Sequence, residues 1–278
     1  MRAAFTVAAD LLREARSRRW FLALGVGVTA ALLVLGFALR LEVVDGALAA
    51  TRIFGKTVRS DILSVDVALR YVYRAAAYVL FYGGLAFGIV ACADFGPSLL
   101  APGRIEYLLS LPVRRHELLL GTFLGVLALS MMGAVYGAGG FTLIFAIKTG
   151  SWSLRPIAAA LLASVTFAGI YGAMLTAAVA LRSAALSAAV GVVLFILGII
   201  AGYRDRLDTF FESGAARESF RAVTFVLPRV SALADASADI AASASVRVPV
   251  LASQMTGLLV FGFAALALGI HLFEQKDF

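Results

Sequence analysis

Ser183-Ala-Ala-Leu-Ser-Ala-Ala-Val-Gly-Val-Val-Leu-Phe-Ile-Leu-Gly-Ile-Ile-Ala-Gly-Tyr203 contains no charged side chain over twenty-one residues, and this sets the fold class. A helix rises about 1.5 Å per residue, so roughly 20 apolar residues cross the hydrocarbon of a bilayer. Five more uncharged stretches reach that length: Trp20 to Leu39, Ala75 to Ala93, Leu118 to Ile147, Pro156 to Leu181 and Val248 to Ile270. With 62% hydrophobic and 15% charged residues, the chain lacks the polar surface to cover a soluble globule. The expectation is an all-α integral membrane protein with six transmembrane helices (20–39, 75–93, 118–147, 156–181, 183–203 and 248–270). None of the runs shows the ten-residue alternation of a membrane barrel. The whole of 1–278 reads as a single transmembrane domain without internal repeats.

Charge is placed around these runs. The net charge of +7 and pI near 9.9 come from basic residues at span ends and in loops, where anionic headgroups account for them without nucleic acid. Residues 1–19 set Phe5, Ala8, Leu11, Leu12 and Ala15 on one helical face and Arg2, Asp10, Arg13, Glu14 and Ser17 on the other, the pattern of an interfacial helix. Arg18, Arg19 and Trp20 then precede the first span, which is too long for a cleavable signal and stays as an anchor. That basic start favours cytoplasmic N- and C-termini. Orientation rests on it, because ten Lys or Arg then lie inside and fourteen outside, twelve of these in long loops where the rule is weakest.

Those loops are residues 40–74, too charged for lipid, and 204–247. In the second, Phe210, Phe211, Phe220, Phe225 and Leu227 suggest one or two short amphipathic helices before Pro228; they either cap the outer mouth of a pathway or sit at the headgroups. The Ala/Ser tract from Ser231 to Ser245 has little to bury and is expected as a loosely held helix or loop. Gly121, Gly125, Gly133 and Gly137 form two GxxxG pairs, a ridge for a neighbouring helix of the same subunit or of another.

Catalytic patterns are weak. His116-Glu117 lacks the second His of a zincin, since position 120 is Leu, and His271 is alone. Ala50 to Thr57 lacks the strand and first glycine of a phosphate-binding loop. The single cysteine, Cys92, excludes an internal disulfide and reads as a small buried residue. No acidic or basic residue lies well inside a span, which argues against an ion-coupled carrier. The chain is not expected to be an enzyme or to carry its own cofactor or metal.

Between the second and third spans lies a charged amphipathic island, Gly103-Arg-Ile-Glu-Tyr-Leu-Leu-Ser-Leu-Pro-Val-Arg-Arg-His-Glu-Leu-Leu-Leu-Gly121. By composition alone it is a solvated loop containing a helix-length piece. With Ala93-Asp94 before it, the string resembles the intracellular segment of ABC-2 type permeases, membrane subunits of bacterial ABC exporters. Within that family it looks most like the subgroup containing the permease for nitrous-oxide-reductase maturation. It departs from the family pattern at Leu99-Leu100, Arg104, Arg114 and Thr122. The resemblance implies a bacterial cytoplasmic membrane protein, paired with a second copy or a related permease. Two separate ATPase subunits, binding ATP and Mg, would dock on a coupling helix within 103–117 through Gly103, Arg104, Glu106, Tyr107, Ser110, Arg114, Arg115, His116 and Glu117. It further implies a pathway lined by the second and fifth spans, with Tyr78, Tyr82 and Phe195 as candidates. Two alternatives carry different expectations: a force-transmitting subunit acting on an extracytoplasmic envelope partner, and an ATP-independent membrane scaffold or enzyme.

Overall fold

The computed structural model describes residues 2–17, 19–44, 47–53, 56–59, 63–110, 113–211 and 214–276. Arg18, Asp45, Gly55, Asp61, Pro112 and Asp277 lie outside the described residues. The chain runs as α1 (Arg2–Ser17), α2 (Arg19–Ala38), four strands, α3 (Val65–Cys92), α4 (Phe95–Leu99), α5 (Arg104–Ser110), α6 (Arg115–Thr149), α7 (Arg155–Leu181), α8 (Ala184–Gly202), α9 (Arg204–Leu207), a 3-10 turn (Asp208–Phe210), α10 (Ala215–Val226), α11 (Val230–Ala241) and α12 (Val248–Glu274).

Among the described residues, five helical stretches are long and apolar enough to cross a membrane: Leu69–Leu99, α6, α7, α8 and α12. Counting the pair Ala4–Ser17 and Phe21–Phe37, bent by 69°, as one span raises the number to six. Every membrane-length element is helical, because hydrocarbon leaves backbone groups no partner outside the helix.

α7 is the central helix, and small residues set how closely its neighbours approach. Against α12, a Cβ on Gly262 would stand 2.8 Å from the Cα of Gly169, and one on Gly172 would stand 2.6 Å from the Gly262 carbonyl oxygen. The Thr176 hydroxyl donates across this crossing to the Ala265 carbonyl at 2.6 Å. On its other side α7 contributes Phe167, Ile170, Tyr171, Met174 and Leu175 to a core shared with Phe81, Leu85 and Ile89 of α3 and Leu118, Leu119, Phe123 and Val126 of α6. Such interdigitation supplies the cohesion that the hydrophobic effect cannot supply inside lipid.

The first GxxxG pair holds α1. A Cβ on Gly121 would meet Val7 Cβ at 2.6 Å and the Ala4 carbonyl oxygen at 2.7 Å, and one on Gly125 would stand 3.2 Å from Ala8 Cα. Ala4, Ala8, Leu11 and Ala15 are therefore buried, while Phe5, expected on the same face, is exposed. The second pair, Gly133 and Gly137, has no neighbour among the described residues within 4 Å of an added Cβ. Beside it α2 climbs parallel to α6, with Thr29 2.6 Å from the Tyr136 hydroxyl, Leu32 over Gly140 and Gly36 beside Ile144.

Three expectations change. The segment 40–74 is not one loop: its first part pairs as β1 (Leu39–Val44), β2 (Ala47–Ile53), β3 (Lys56–Arg59) and β4 (Leu63–Ser64), antiparallel, with β2 between β1 on one side and β3 and β4 on the other. The second span begins well before Ala75, since α3 takes in Arg70 and Arg74 as exposed positions on its first turns. The tract Ser231 to Ser245 is the largest correction. Val230, Ser231, Leu233, Ala234, Ser237, Ala238 and Ala241 of α11 are buried between α3, α7 and α8. Small side chains bury little area, but they let backbones close in, and each polar one finds a carbonyl. Ser231 donates to Ile199 at 2.9 Å and Ser237 to Ala159 at 3.1 Å.

Candidate functional sites at the two ends of the bundle

The starts of α6 and α8 share one end of the bundle, called the near end, with the last turns of α3, α7 and α12. Lys276 marks it, donating to the Val179 and Ala180 carbonyls at 2.6 and 3.1 Å, where a cation answers the negative end of α7. Burial first, and the Arg182 charge second, lower the Lys276 pKa.

At the near end Gly103 turns the chain with φ +80°, a left-handed conformation that a side chain would strain. The seven-residue α5 follows, anchored by buried Ile105 and half-buried Leu108. The Arg104 guanidinium donates to Glu14 of α1 at 2.6 Å. Glu106, Tyr107 and Ser110 are exposed, and the Ser110 hydroxyl bonds back to the Tyr107 carbonyl at 2.7 Å. Arg114 caps α6 in extended conformation with its side chain exposed, and its N–H is accepted by the Glu117 carboxylate at 3.3 Å, closing the first turn.

Arg115 faces inward instead. Its Nη1 donates to the carbonyls of Phe273, Glu274 and Lys276 at 3.5, 3.2 and 2.5 Å, gripping the last turn of α12. His116 Nδ1 stands 3.5 Å from a Glu274 carboxylate oxygen. Of the nine residues expected at a docking surface, Arg104, Arg115, His116 and Glu117 are thus engaged within the chain. The outward set is Glu106, Tyr107, Ser110 and Arg114.

The far end brings together the three pathway candidates. Tyr78 stacks on Tyr82 with centroids 6.3 Å apart and planes 7° apart, and Tyr82 meets Phe195 of α8 edge-on at 6.2 Å. Sequence reasoning missed what holds them. Arg74 donates to Asp239 at 2.6 Å, and the Tyr78 hydroxyl donates to Asp235 at 2.7 Å. Positions 74, 78 and 82 form one i,i+4 stripe on α3, facing the i,i+4 pair 235 and 239 on α11 with the two helices antiparallel. The signal was present in the sequence as two acids four residues apart in an alanine-rich segment. It was lost because that segment did not look packed.

No protein-family model matches this chain, and no curated protein matches it.

Proposed function

We propose that this chain is the membrane-spanning subunit of an ABC-2 type exporter, in which a separate ATPase pushes on α5. The supporting observation is the linkage at the near end. Arg104 ties α5 to α1, α1 lies in the glycine groove of α6, and Arg115 ties the start of α6 to the end of α12. A displacement of the seven-residue α5 would be passed to three long elements at once, the arrangement a lever needs.

In this reading α2 is the sixth span, α1 lies at the cytoplasmic membrane surface, and the near end is cytoplasmic. Glu106, Tyr107, Ser110 and Arg114 contact the ATPase, where exposed charges set register and encounter rate. Two ATPase subunits bind ATP and Mg, and closure of the nucleotide-bound pair shifts the permease population toward an outward-open form. The substrate route runs along α3 and α8, with Tyr78, Tyr82 and Phe195 on its wall and α11 braced against it.

Site-directed crosslinking tests this. A cysteine at Glu106→Cys, in a Cys92→Ala background, should crosslink to an ABC ATPase co-expressed with the chain, with a yield that changes on adding ATP. Absence of any crosslink from Glu106→Cys and Tyr107→Cys alike would sink the reading. The small sheet at the far end favours a second reading, in which the same motor works on an envelope protein docked there. A stable complex with such a protein, formed without transported substrate, would distinguish the two.

A further inference from the structure

Where α8 ends at Gly202, Arg204, Asp205, Arg206 and Asp208 follow within six residues, just past the last turn of a membrane-length helix. α10 then returns alongside them. Its Arg217 and Arg221, one turn apart, both grip the buried Asp208 carboxylate. Each guanidinium donates Nε to Oδ1 at 2.9 Å and Nη2 to Oδ2, the latter at 2.6 Å from Arg217 and 2.5 Å from Arg221. An arginine has five N–H donors, so this fork uses two from each and leaves three. One negative charge therefore holds two positive ones side by side, preorganised and with a net charge of +1 between them.

Beside this clamp opens a pocket of about 570 Å³, lined by Arg204, Asp205, Asp208, Arg221, Ala222 and Phe225. Arg204 approaches from the α9 side. Its guanidinium stands 3.5 Å from the Asp205 carboxylate, which points mostly to solvent. With Arg217 behind Asp208, the charges around the pocket sum to three positive and two negative. Ala222 and Phe225 make the remaining wall apolar. Beyond it Phe210 and Phe225 are 83% and 77% exposed, with Val223 and Val226 exposed beside them. A soluble anion has no use for an apolar flank of that kind, whereas a lipid carries a phosphate and acyl chains in the same order.

The geometry points to a binding site for an anionic glycerophospholipid, its phosphate oxygens on the free guanidinium donors of Arg204 and Arg221 and its acyl chain along Phe225. Phosphate oxygens match the planar fork of arginine, and the fixed Asp208 clamp removes the cost of bringing two cations together. The site is independent of any ATPase, since none of its residues belongs to the near end.

Native mass spectrometry of the detergent-purified full chain tests it, titrated with phosphatidylglycerol, with phosphatidylcholine and with inorganic phosphate. The tightest phosphatidylglycerol event should be about tenfold stronger than the phosphatidylcholine one, and Arg204→Ala or Arg221→Gln should each weaken it about tenfold, near 1.4 kcal/mol. Arg206→Ala, whose guanidinium sits over the Tyr203 ring at 5.6 Å, should leave it unchanged. Arg204→Ala does not touch the Asp208 clamp, so it remains decisive if Arg221→Gln fails to fold. Wild-type binding retained in Arg204→Ala overturns the proposal. Full displacement of the lipid by millimolar inorganic phosphate overturns its lipid part and leaves a soluble-phosphate site.

Discussion

Arg104 and Glu14 are separated by 90 residues of sequence and joined at 2.6 Å, so one ion pair ties the short α5 to the amphipathic α1 at the near end. Their side chains are 37% and 24% exposed. An ion pair of that exposure contributes on the order of 0.2–1 kcal/mol. Glu14→Arg or Arg104→Glu should therefore lower the thermal midpoint only slightly while speeding hydrogen exchange in α1. The double exchange Glu14→Arg with Arg104→Glu should restore slow exchange. Exchange in α1 that is as slow in both single variants as in the wild type would show that the pair does not hold the helix.

The two GxxxG pairs should respond oppositely to the same change. Gly121→Leu drives a side chain into Val7 and the Ala4 backbone, and overpacking of this kind costs about 1–3 kcal/mol. Gly133 is exposed, with nothing among the described residues within 4 Å of an added Cβ, so Gly133→Leu should fall within about 0.5 kcal/mol of wild type. Thermal unfolding in detergent measures both, and equal destabilisation would contradict the assignment of α1 to the first pair alone.

Gly262→Ala is a sharper test of the core. Its methyl would stand 2.8 Å from the Gly169 backbone, which has no flexible side chain to yield. Separation of α7 from α12 should cost about 1–3 kcal/mol and reduce the folded yield on gel filtration. Gly257→Ala, on the same helix with open space around it, is the matched control and should be silent.

The far-end clamp predicts a pH dependence. Hydrogen bonds from Arg217 first and Arg221 second hold the Asp208 carboxyl well below the usual range. A depressed folded pKa means stabilisation that is fully present above the unfolded value, about 3.9, and is lost as pH falls below it toward the folded value. Protease cleavage between α9 and α10 should stay slow at pH 5–8 and rise below about pH 4, again by this linkage. Asp208→Asn should show the faster cleavage at every pH. A variant with the wild-type acid profile would remove Asp208 as its cause.

The apolar runs made the helical bundle legible, because a length near 20 residues without charge is a physical requirement of crossing hydrocarbon. Their ends were less so. Arg70 and Arg74 read as loop residues because charge was equated with the end of a helix, yet Arg74 stays helical and pairs with Asp239. The burial of α11 was invisible for a related reason: alanine and serine carry little hydrophobic signal, and what they offer is close approach. Among the docking candidates, Glu106 and Tyr107 sit outward. Arg115 does not, since no local pattern shows that its partners are carbonyls some 160 residues downstream.

Copurification with a co-expressed ABC ATPase is the most direct test of the proposal that α5 is a docking lever. The comparison is between wild type and Glu106→Arg combined with Tyr107→Ala, two exposed positions that leave the Arg104, Arg115 and His116 contacts intact. A stoichiometric complex for the wild type, lost in the variant at unchanged thermal midpoint, is the predicted result. A variant that retains the ATPase at wild-type yield, or a wild type that never binds it, would contradict the account.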